Sequence, residues 1–82
     1  MSKQLFIKDG YAISDMDSIS SPEYYGYLDG IGNWYIIKVT DIDIVVEVRY
    51  CRGSNASPYI TAWTNRTILT YDYFNIVFKL GG

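Results

Sequence analysis

The chain has 82 residues, one cysteine, no histidine and a formal net charge of −2. This length predicts one small domain with a thin core, and small domains are often stabilised by disulfides or a metal. The single cysteine excludes an internal disulfide, and the absence of histidine excludes the common zinc sites and the Ser-His and Cys-His nucleophile pairs. The seven basic residues form no stripe, which argues against nucleic-acid binding, and no apolar run approaches the length of a membrane span.

These properties predict a single β-rich domain over residues 1–82 that is made in the cytoplasm, without an export signal, a membrane segment or a cofactor. Aromatic residues make up 17% of the chain, nine of them tyrosines. Because aromatic side chains bury much area per residue and are enriched at protein interfaces, this content favours close packing or association with other chains.

The N-terminal region predicts a hairpin followed by a loop. Asp9-Gly10 separates two short apolar runs, residues 4–8 and 11–13, and Asp-Gly is favoured in two-residue hairpin turns because glycine adopts positive φ without steric cost. The polar stretch from Ser14 to Pro22 indicates a loop.

Residues 24–39 predict the clearest element, a hairpin with a Gly-rich turn over residues 29–33. Aromatic and β-branched side chains dominate both strands, as strands prefer. Alternation assigns the side chains of each strand to two faces. In the first strand Tyr24, Gly26 and Leu28 oppose Tyr25, Tyr27 and Asp29, and in the second Trp34, Ile36 and Lys38 oppose Tyr35, Ile37 and Val39. We expect one aromatic set in the core and the other exposed or buried in an intersubunit contact.

Farther along the chain, residues 40–43 predict a turn, residues 44–51 a strand with one apolar and one mixed face, and residues 52–58 a loop. Residues 59–63 suggest a short strand. Residues 65–73 fit one short helix capped by Thr64 or Asn65, although their β-branched residues weaken that interpretation. Residues 74–80 alternate with period two and predict a final strand.

Together these elements predict an all-β fold in which five or six strands form a small antiparallel meander, curled into a barrel-like or sandwich domain. The choice between helix and strand for residues 65–80 stays open.

Few residues suggest chemistry. The acidic pairs Asp15/Asp17 and Asp41/Asp43 are able in principle to bind a cation or act as acid and base, but both fall in predicted turns, where aspartate is favoured for local hydrogen bonds. Cys51 lies close to two arginines that would lower its pKa if they faced it. We expect turn chemistry and packing instead, and predict no enzyme activity, metal or cofactor.

The aromatic residues are the candidate binding positions. An exposed ring of Tyr and Trp side chains is able to stack on a sugar, whereas cross-strand aromatic pairs more often stabilise a sheet or an interface. The candidate interface or ligand aromatics are Tyr25, Tyr27, Trp34, Tyr35 and Trp63.

Three phrases carry a resemblance: YAISDMD (residues 11–17), PEYYGYLDGIGNWYIIK (residues 22–38) and TAWTNRTILTYDYF (residues 61–74). Together they resemble small β-rich proteins of tailed bacteriophages and prophages that are associated with the virion. The resemblance implies a structural or assembly role in a tail, neck or decoration component, with homo-oligomeric contacts or contacts to other phage structural proteins, and brings no catalytic motif. The hydrophobic stretch at residues 42–48 departs from the expected pattern.

The leading hypothesis is therefore a non-enzymatic phage virion component. The alternative is a small carbohydrate- or cell-surface-binding module that uses exposed Tyr and Trp side chains. An enzyme built on an Asp pair and a nucleic-acid binder on an OB-like barrel are weaker hypotheses, since no cleft is indicated and the chain is acidic.

Overall fold

A computed structural model describes residues 10–79, which form a four-stranded antiparallel sheet with two short helices. The strands are β1 (Ala12–Asp17), β2 (Glu23–Leu28), β3 (Trp34–Ile42) and β4 (Val45–Gly53), and the helices are α1 (Tyr59–Thr64) and α2 (Phe74–Val77). The sheet order β1-β2-β3-β4 is that of a simple meander, so the all-β class and the antiparallel meander are confirmed.

The predicted central hairpin is confirmed, and the alternation within each strand matches the two faces of the sheet. β2 and β3 pair from Glu23↔Val39 to Leu28↔Trp34, and the turn between them is closed by a hydrogen bond from the Asp29 backbone N–H to the Asn33 carbonyl. β3 continues past the predicted end to Ile42, and a two-residue turn at Asp43 and Ile44 leads into β4.

The sheet is covered on both faces, so its core has two parts. Tyr24, Trp34, Ile36, Tyr59 and Ala62 form the buried cluster of the α1 face. Tyr27, Tyr35, Ile37, Val39, Tyr50 and Phe78 form that of the α2 face. The chain passes from one face to the other around the edge of β4, where Tyr50 and Asp72 exchange two backbone hydrogen bonds.

The prediction of a loop from Ser14 to Pro22 is wrong for its first part, because residues 14–17 belong to β1. β1 pairs with β2 through Asp17↔Tyr24, with a register shift between Ile13 and Asp15. Its carboxylates accept hydrogen bonds from side chains on and after α1, so the strand carries polar residues that sequence patterns normally assign to loops. The predicted first strand, residues 4–8, and the Asp9 turn position lie outside the described residues.

Two predicted strands are helices, so the described sheet has four strands and not five or six. In α1, Tyr59, Ala62 and Trp63 share a helical face that packs on the sheet. In α2 and the residue after it, Phe74 and Phe78 are four residues apart and stack on each other. Residues four apart lie on the same face of a strand and also of a helix, so the alternation did not distinguish the two here.

The helix expected at residues 65–73 is also misplaced. Asn65 follows the last turn of α1, where its backbone N–H donates to the carbonyls of Thr61 and Ala62. It caps the end of a helix and not the beginning of one. The residues after it form turns, and they cover the α1 face through Leu69 and Tyr71.

Candidate functional site

The five candidate aromatics do not form an exposed platform. Tyr27, Trp34 and Tyr35 are at most 4% exposed, because both faces of the central hairpin are covered. Tyr27 and Tyr35 stack with ring centroids 4.7 Å apart on the α2 face, whereas Trp34 packs on the α1 face and donates from Nε1 to the Ser57 carbonyl at 2.6 Å. The expectation that one aromatic set stays exposed is therefore wrong for the folded chain.

Tyr25 and Trp63 are half-buried, but they lie on opposite faces of the sheet. The Tyr25 hydroxyl donates to the Glu23 carboxylate at 2.6 Å, and this hydrogen bond, together with burial, raises the pKa of Tyr25 to about 12. The indole of Trp63 stacks with Tyr59 and carries the Arg66 guanidinium 4.6 Å from its centroid. Two rings on opposite faces cannot stack on one sugar, so the carbohydrate hypothesis loses the platform on which it depended.

The acidic pair of β1 is used to attach the α1 layer to the sheet. The Tyr59 hydroxyl donates to Asp15 Oδ2 at 2.8 Å, and Arg66 donates from Nε and Nη2 to Asp17 Oδ2 at 3.2 and 3.0 Å. Burial and the hydrogen bond to Asp15 raise the pKa of Tyr59 well above its usual range. Each carboxylate is thus paired with its own donor, and this arrangement differs from two carboxylates facing a shared substrate.

Gly26 makes this attachment possible. A Cβ at this position would overlap the Tyr59 hydroxyl and come within 3.0 Å of the Trp63 ring. Without a side chain at Gly26, the Tyr59 ring lies close against β2 and its hydroxyl reaches across to Asp15. The Gly in the YYG phrase is therefore explained by a close approach that sequence patterns alone did not indicate.

The positions of Cys51, Asp29 and Asp43 are explained by local packing and turn geometry. Burial raises the pKa of the Cys51 thiol, the opposite of what an activated nucleophile requires. The partial desolvation of Asp29 is outweighed by hydrogen bonds from the Asn33 side chain and from backbone N–H groups of its own loop, which hold the pKa of Asp29 below its usual value. Asp43 stands at the β3–β4 turn with φ of 53°, a conformation that aspartate tolerates better than most residues.

A cleft opens beside α1 at the end of the sheet where β3 begins. It encloses about 310 Å³, near the lower limit of roughly 300 Å³ for small-molecule sites. Its described lining residues are Trp34, Arg52, Ser57, Pro58, Thr61, Ala62, Asn65 and Leu69. The lining is mainly apolar and contains no carboxylate. Its one cationic residue, Arg52, holds its guanidinium 5.3 Å from the Phe78 ring centroid, on the α2 face of the sheet.

A separate, more polar depression of about 430 Å³ lies beside the cleft and also borders Arg52, with Tyr11, Asn33, Gly53 and Ser54 as its other described lining residues. Between residues 10 and 79, no three His, Cys, Asp or Glu side chains are grouped as a metal site would require. No helix in the same stretch is long and apolar enough to cross a membrane.

The opposite end of the sheet carries an exposed apolar projection. The hairpin tip, residues 41–46, continues the β3–β4 ladder beyond the layers that cover the rest of the sheet. Its apolar exposures are 48% for Ile42, 97% for Ile44, 55% for Val45 and 51% for Val46. The sequence did signal this feature, as the hydrophobic stretch at residues 42–48, but periodicity placed it in a strand without indicating that the covering layers stop short of it.

The chain was compared with protein-family models, curated proteins and solved structures, and none of the three comparisons returned a match.

Proposed function

We propose that this chain is a non-enzymatic assembly protein that acts through contacts with copies of itself or with other proteins. The observation that carries the proposal is the hairpin tip, where four neighbouring aliphatic residues extend into solvent. Ile42 and Val45 are cross-strand partners on one face of the ladder, and Val46 lies on the other face. Isolated exposed aliphatic residues are common on protein surfaces, but several at the end of one ladder favour an interaction site.

The roles of the polar residues support the same proposal. Asp15 and Asp17, one of the two acidic pairs considered for acid–base chemistry, hold the α1 layer on the sheet. Cys51 has a raised pKa. These polar groups stabilise the fold, whereas the hairpin tip exposes aliphatic side chains.

The resemblance to virion-associated phage proteins supports the setting that we propose, which is a tail, neck or decoration-type component of a phage particle. Repeated symmetric contacts would bury surface that an 82-residue domain cannot bury alone. A short, rigid projection from each copy is well suited to such an array, because it reaches a neighbour without any change in the fold.

The experiment is to purify particles released from a phage or prophage strain that encodes the sequence, and to quantify its peptides by mass spectrometry across a density gradient. We expect the chain to migrate with the particles at a constant ratio to the major structural proteins. Recovery only in the particle-free fractions would contradict a virion role.

A second measurement tests association directly. Light scattering after size exclusion, over a wide concentration range, should give a mass above the 9.4 kDa of one chain. A mass that stays at the monomer value up to millimolar concentration would contradict self-association and leave only contacts with other proteins.

A further inference from the structure

We infer that two copies of this chain pair through the outer edges of their β4 strands, so that the two four-stranded sheets become one continuous antiparallel sheet. The inference rests on the proposed assembly function and deepens it by identifying the partner, a second copy, and the contact, residues 44–48 of each copy. We call residues 44–48 the open edge.

The ladder shows which backbone groups of β4 face outward. Successive residues of an antiparallel strand direct their N–H and C=O groups alternately to its two sides. The N–H and C=O of Tyr50 bond to Asp72, on the side away from β3. Alternation therefore directs the backbone groups of Val46 and Val48 outward as well, and no residue between 10 and 79 forms a backbone hydrogen bond with those of Val46 on that side.

The open edge lacks most of the features that prevent edge-to-edge pairing, namely proline, lysine and bulges. Residues 44–48 read IVVEV, with Glu47 as the one charged residue, and β4 pairs with β3 without a register shift. The edge strand on the other side of the sheet, β1, has a register shift between Ile13 and Asp15. An irregular edge is a poor template for a regular ladder, so pairing is favoured at β4.

Two limits fix how two open edges align. At one end each strand turns back at Ile44, and at the other end Asp72 already occupies the edge beside Tyr50. The longest antiparallel pairing between these limits sets Val46 opposite the partner's Val46, where each residue donates to and accepts from the other. It also sets Ile44 opposite the partner's Val48, once on each side of the two-fold axis.

Charge selects the same alignment. One residue beyond the open edge, the exposed Asp43 of each copy comes opposite the partner's Arg49. The Arg49 guanidinium lies at this edge, because it donates from Nη1 to the Val48 carbonyl at 3.1 Å, and it approaches Glu47 only to 4.0 Å. The next alignment toward Tyr50 would instead set Glu47 opposite the partner's Glu47, which is destabilising.

The alignment also covers exposed apolar surface on the α2 face. Val48 packs against the buried cluster of that face, and the ring of Phe74, 41% exposed, contacts that of Tyr50 two residues farther along β4. The partner's Ile44 arrives opposite Val48 and close to Phe74, and Val46, 51% exposed, meets its counterpart. Apolar burial thus adds to the backbone hydrogen bonds of the contact.

The first test compares the full chain with two variants at one position, by sedimentation over a concentration series. Val46→Pro removes the outward N–H and leaves the bonds between β3 and β4 in place. Val46→Thr is the matched control, because it keeps both the N–H and the β-branched shape. We expect the proline to raise the dissociation constant at least about tenfold and the threonine to raise it less than about threefold. Equal effects would overturn backbone pairing at this edge.

A charge exchange tests the alignment. Asp43→Lys and Arg49→Glu each set like charges opposite each other at both ends of a homodimer, and each should weaken association at least about fivefold. In an equimolar mixture the new lysine faces the new glutamate at one end, and the unchanged Asp43 and Arg49 face each other at the other end. The mixture should therefore form a mixed dimer with close to wild-type affinity. A mixture that associates no more tightly than the separate variants would overturn the alignment.

Hydrogen exchange of single amides locates the contact. The outward amides of Val46 and Val48 should become protected as the protein concentration rises. The Glu47 amide, which faces Thr40 within the ladder, should exchange at a rate that does not depend on concentration. Unchanged exchange at Val46 in associated protein would place the contact elsewhere and overturn the inference.

The outcomes also separate the inference from the proposed function. If the wild-type chain associates and neither Val46→Pro nor the charge variants change the association, the assembly role stands and the edge contact is wrong. If the wild-type chain remains monomeric at every concentration, the inference fails, and the density-gradient measurement still decides the assembly role. Circular dichroism of each variant checks the fold, and the charge exchange decides the alignment if Val46→Pro does not fold.

Discussion

The two halves of the β3–β4 ribbon belong to one continuous ladder, but other segments cover only the first half. Nine residue pairs run without interruption from Trp34↔Gly53 to Ile42↔Val45. In the first half, Ile36 and Ile37 are completely buried, whereas in the second half Ile42 and Val45 are about half exposed. Both halves contain β-branched aliphatic residues, so the burial of such a residue depends on which segments cross over the ladder.

The difference follows from where the remaining chain passes. The segment from α1 to Tyr71 covers one face of the first half, and Phe78 with its neighbours covers the other. The described covering segments leave the tip uncovered. A strand pair that extends beyond its layers contributes little to the stability of its own domain, and its apolar surface is available for another chain.

The largest expected effect is the difference in the free energy of unfolding between isoleucine-to-alanine substitutions in the two halves. Ile36→Ala, at 0% exposure, should lower the free energy of unfolding by about 2–5 kcal/mol, because it removes buried methyl groups and leaves a cavity. Ile44→Ala, at 97% exposure, should change it by no more than about 0.5 kcal/mol.

Urea denaturation of dilute protein, where association does not contribute, measures both values. Similar losses for Ile36→Ala and Ile44→Ala would mean that the tip is covered within the same molecule, and the comparison between the two halves would fail.

The sequence predicted the paired strands better than the segments that pack over them. Alternation before and after the turn at residues 29–33 gave the hairpin and the two faces of each strand, because each strand follows a period of two without conflict. It failed at residues 59–63 and 74–80, where short segments fit two periods and only the sheet beneath them selects the helix.

The candidate site was predictable in part. The unusual hydrophobicity of residues 42–48 indicated the tip, but exposure depends on the layers, and the layers were the elements predicted incorrectly. The same error placed Tyr27, Trp34 and Tyr35 among the candidates for an exposed set. The role of Gly26 required the position of Tyr59, 33 residues away in the chain, which no local pattern contains.

Gly26→Ala tests the covered half directly, because it disturbs the packing of α1 on the sheet. The new methyl group would displace the Tyr59 hydroxyl from Asp15 and press on Trp63, at a cost of about 1–3 kcal/mol for overpacking. Tyr59→Phe in the same chain removes the atom nearest to the clash, so the double variant should lose less than the sum of the two single losses. Strict additivity in thermal or urea unfolding would contradict this account of the YYG phrase.

A pH dependence is expected from Tyr25, which lies over the buried half. Its hydrogen bond to Glu23 raises its pKa from 10.0 to about 12 in the folded chain, so the folded state keeps this proton when the unfolded state has lost it. The resulting stabilisation is complete below pH 10 and is lost as the pH rises from about 10 to about 12.

Urea midpoints measured between pH 8 and pH 12 should therefore fall more steeply for the wild-type chain than for Tyr25→Phe. Other buried tyrosines contribute to both slopes, so the difference between the two proteins isolates Tyr25. Parallel curves would show that the Tyr25–Glu23 hydrogen bond does not persist in solution.

The smallest expected effects compare one ion pair from each half. Asp17 accepts two hydrogen bonds from Arg66 in the layer over the first half, with both side chains partly shielded. Glu47 approaches Arg49 only to 4.0 Å near the tip. Asp17→Asn should cost about 0.2–1 kcal/mol and Glu47→Gln almost nothing, because a single long contact between solvated groups is offset by side-chain entropy and screened by salt. Raising the salt concentration should reduce the Asp17 effect without affecting Glu47. An equal loss for both variants would mean that the covering layer does not strengthen its own ion pair, and the two halves of the ribbon would then differ in apolar burial alone.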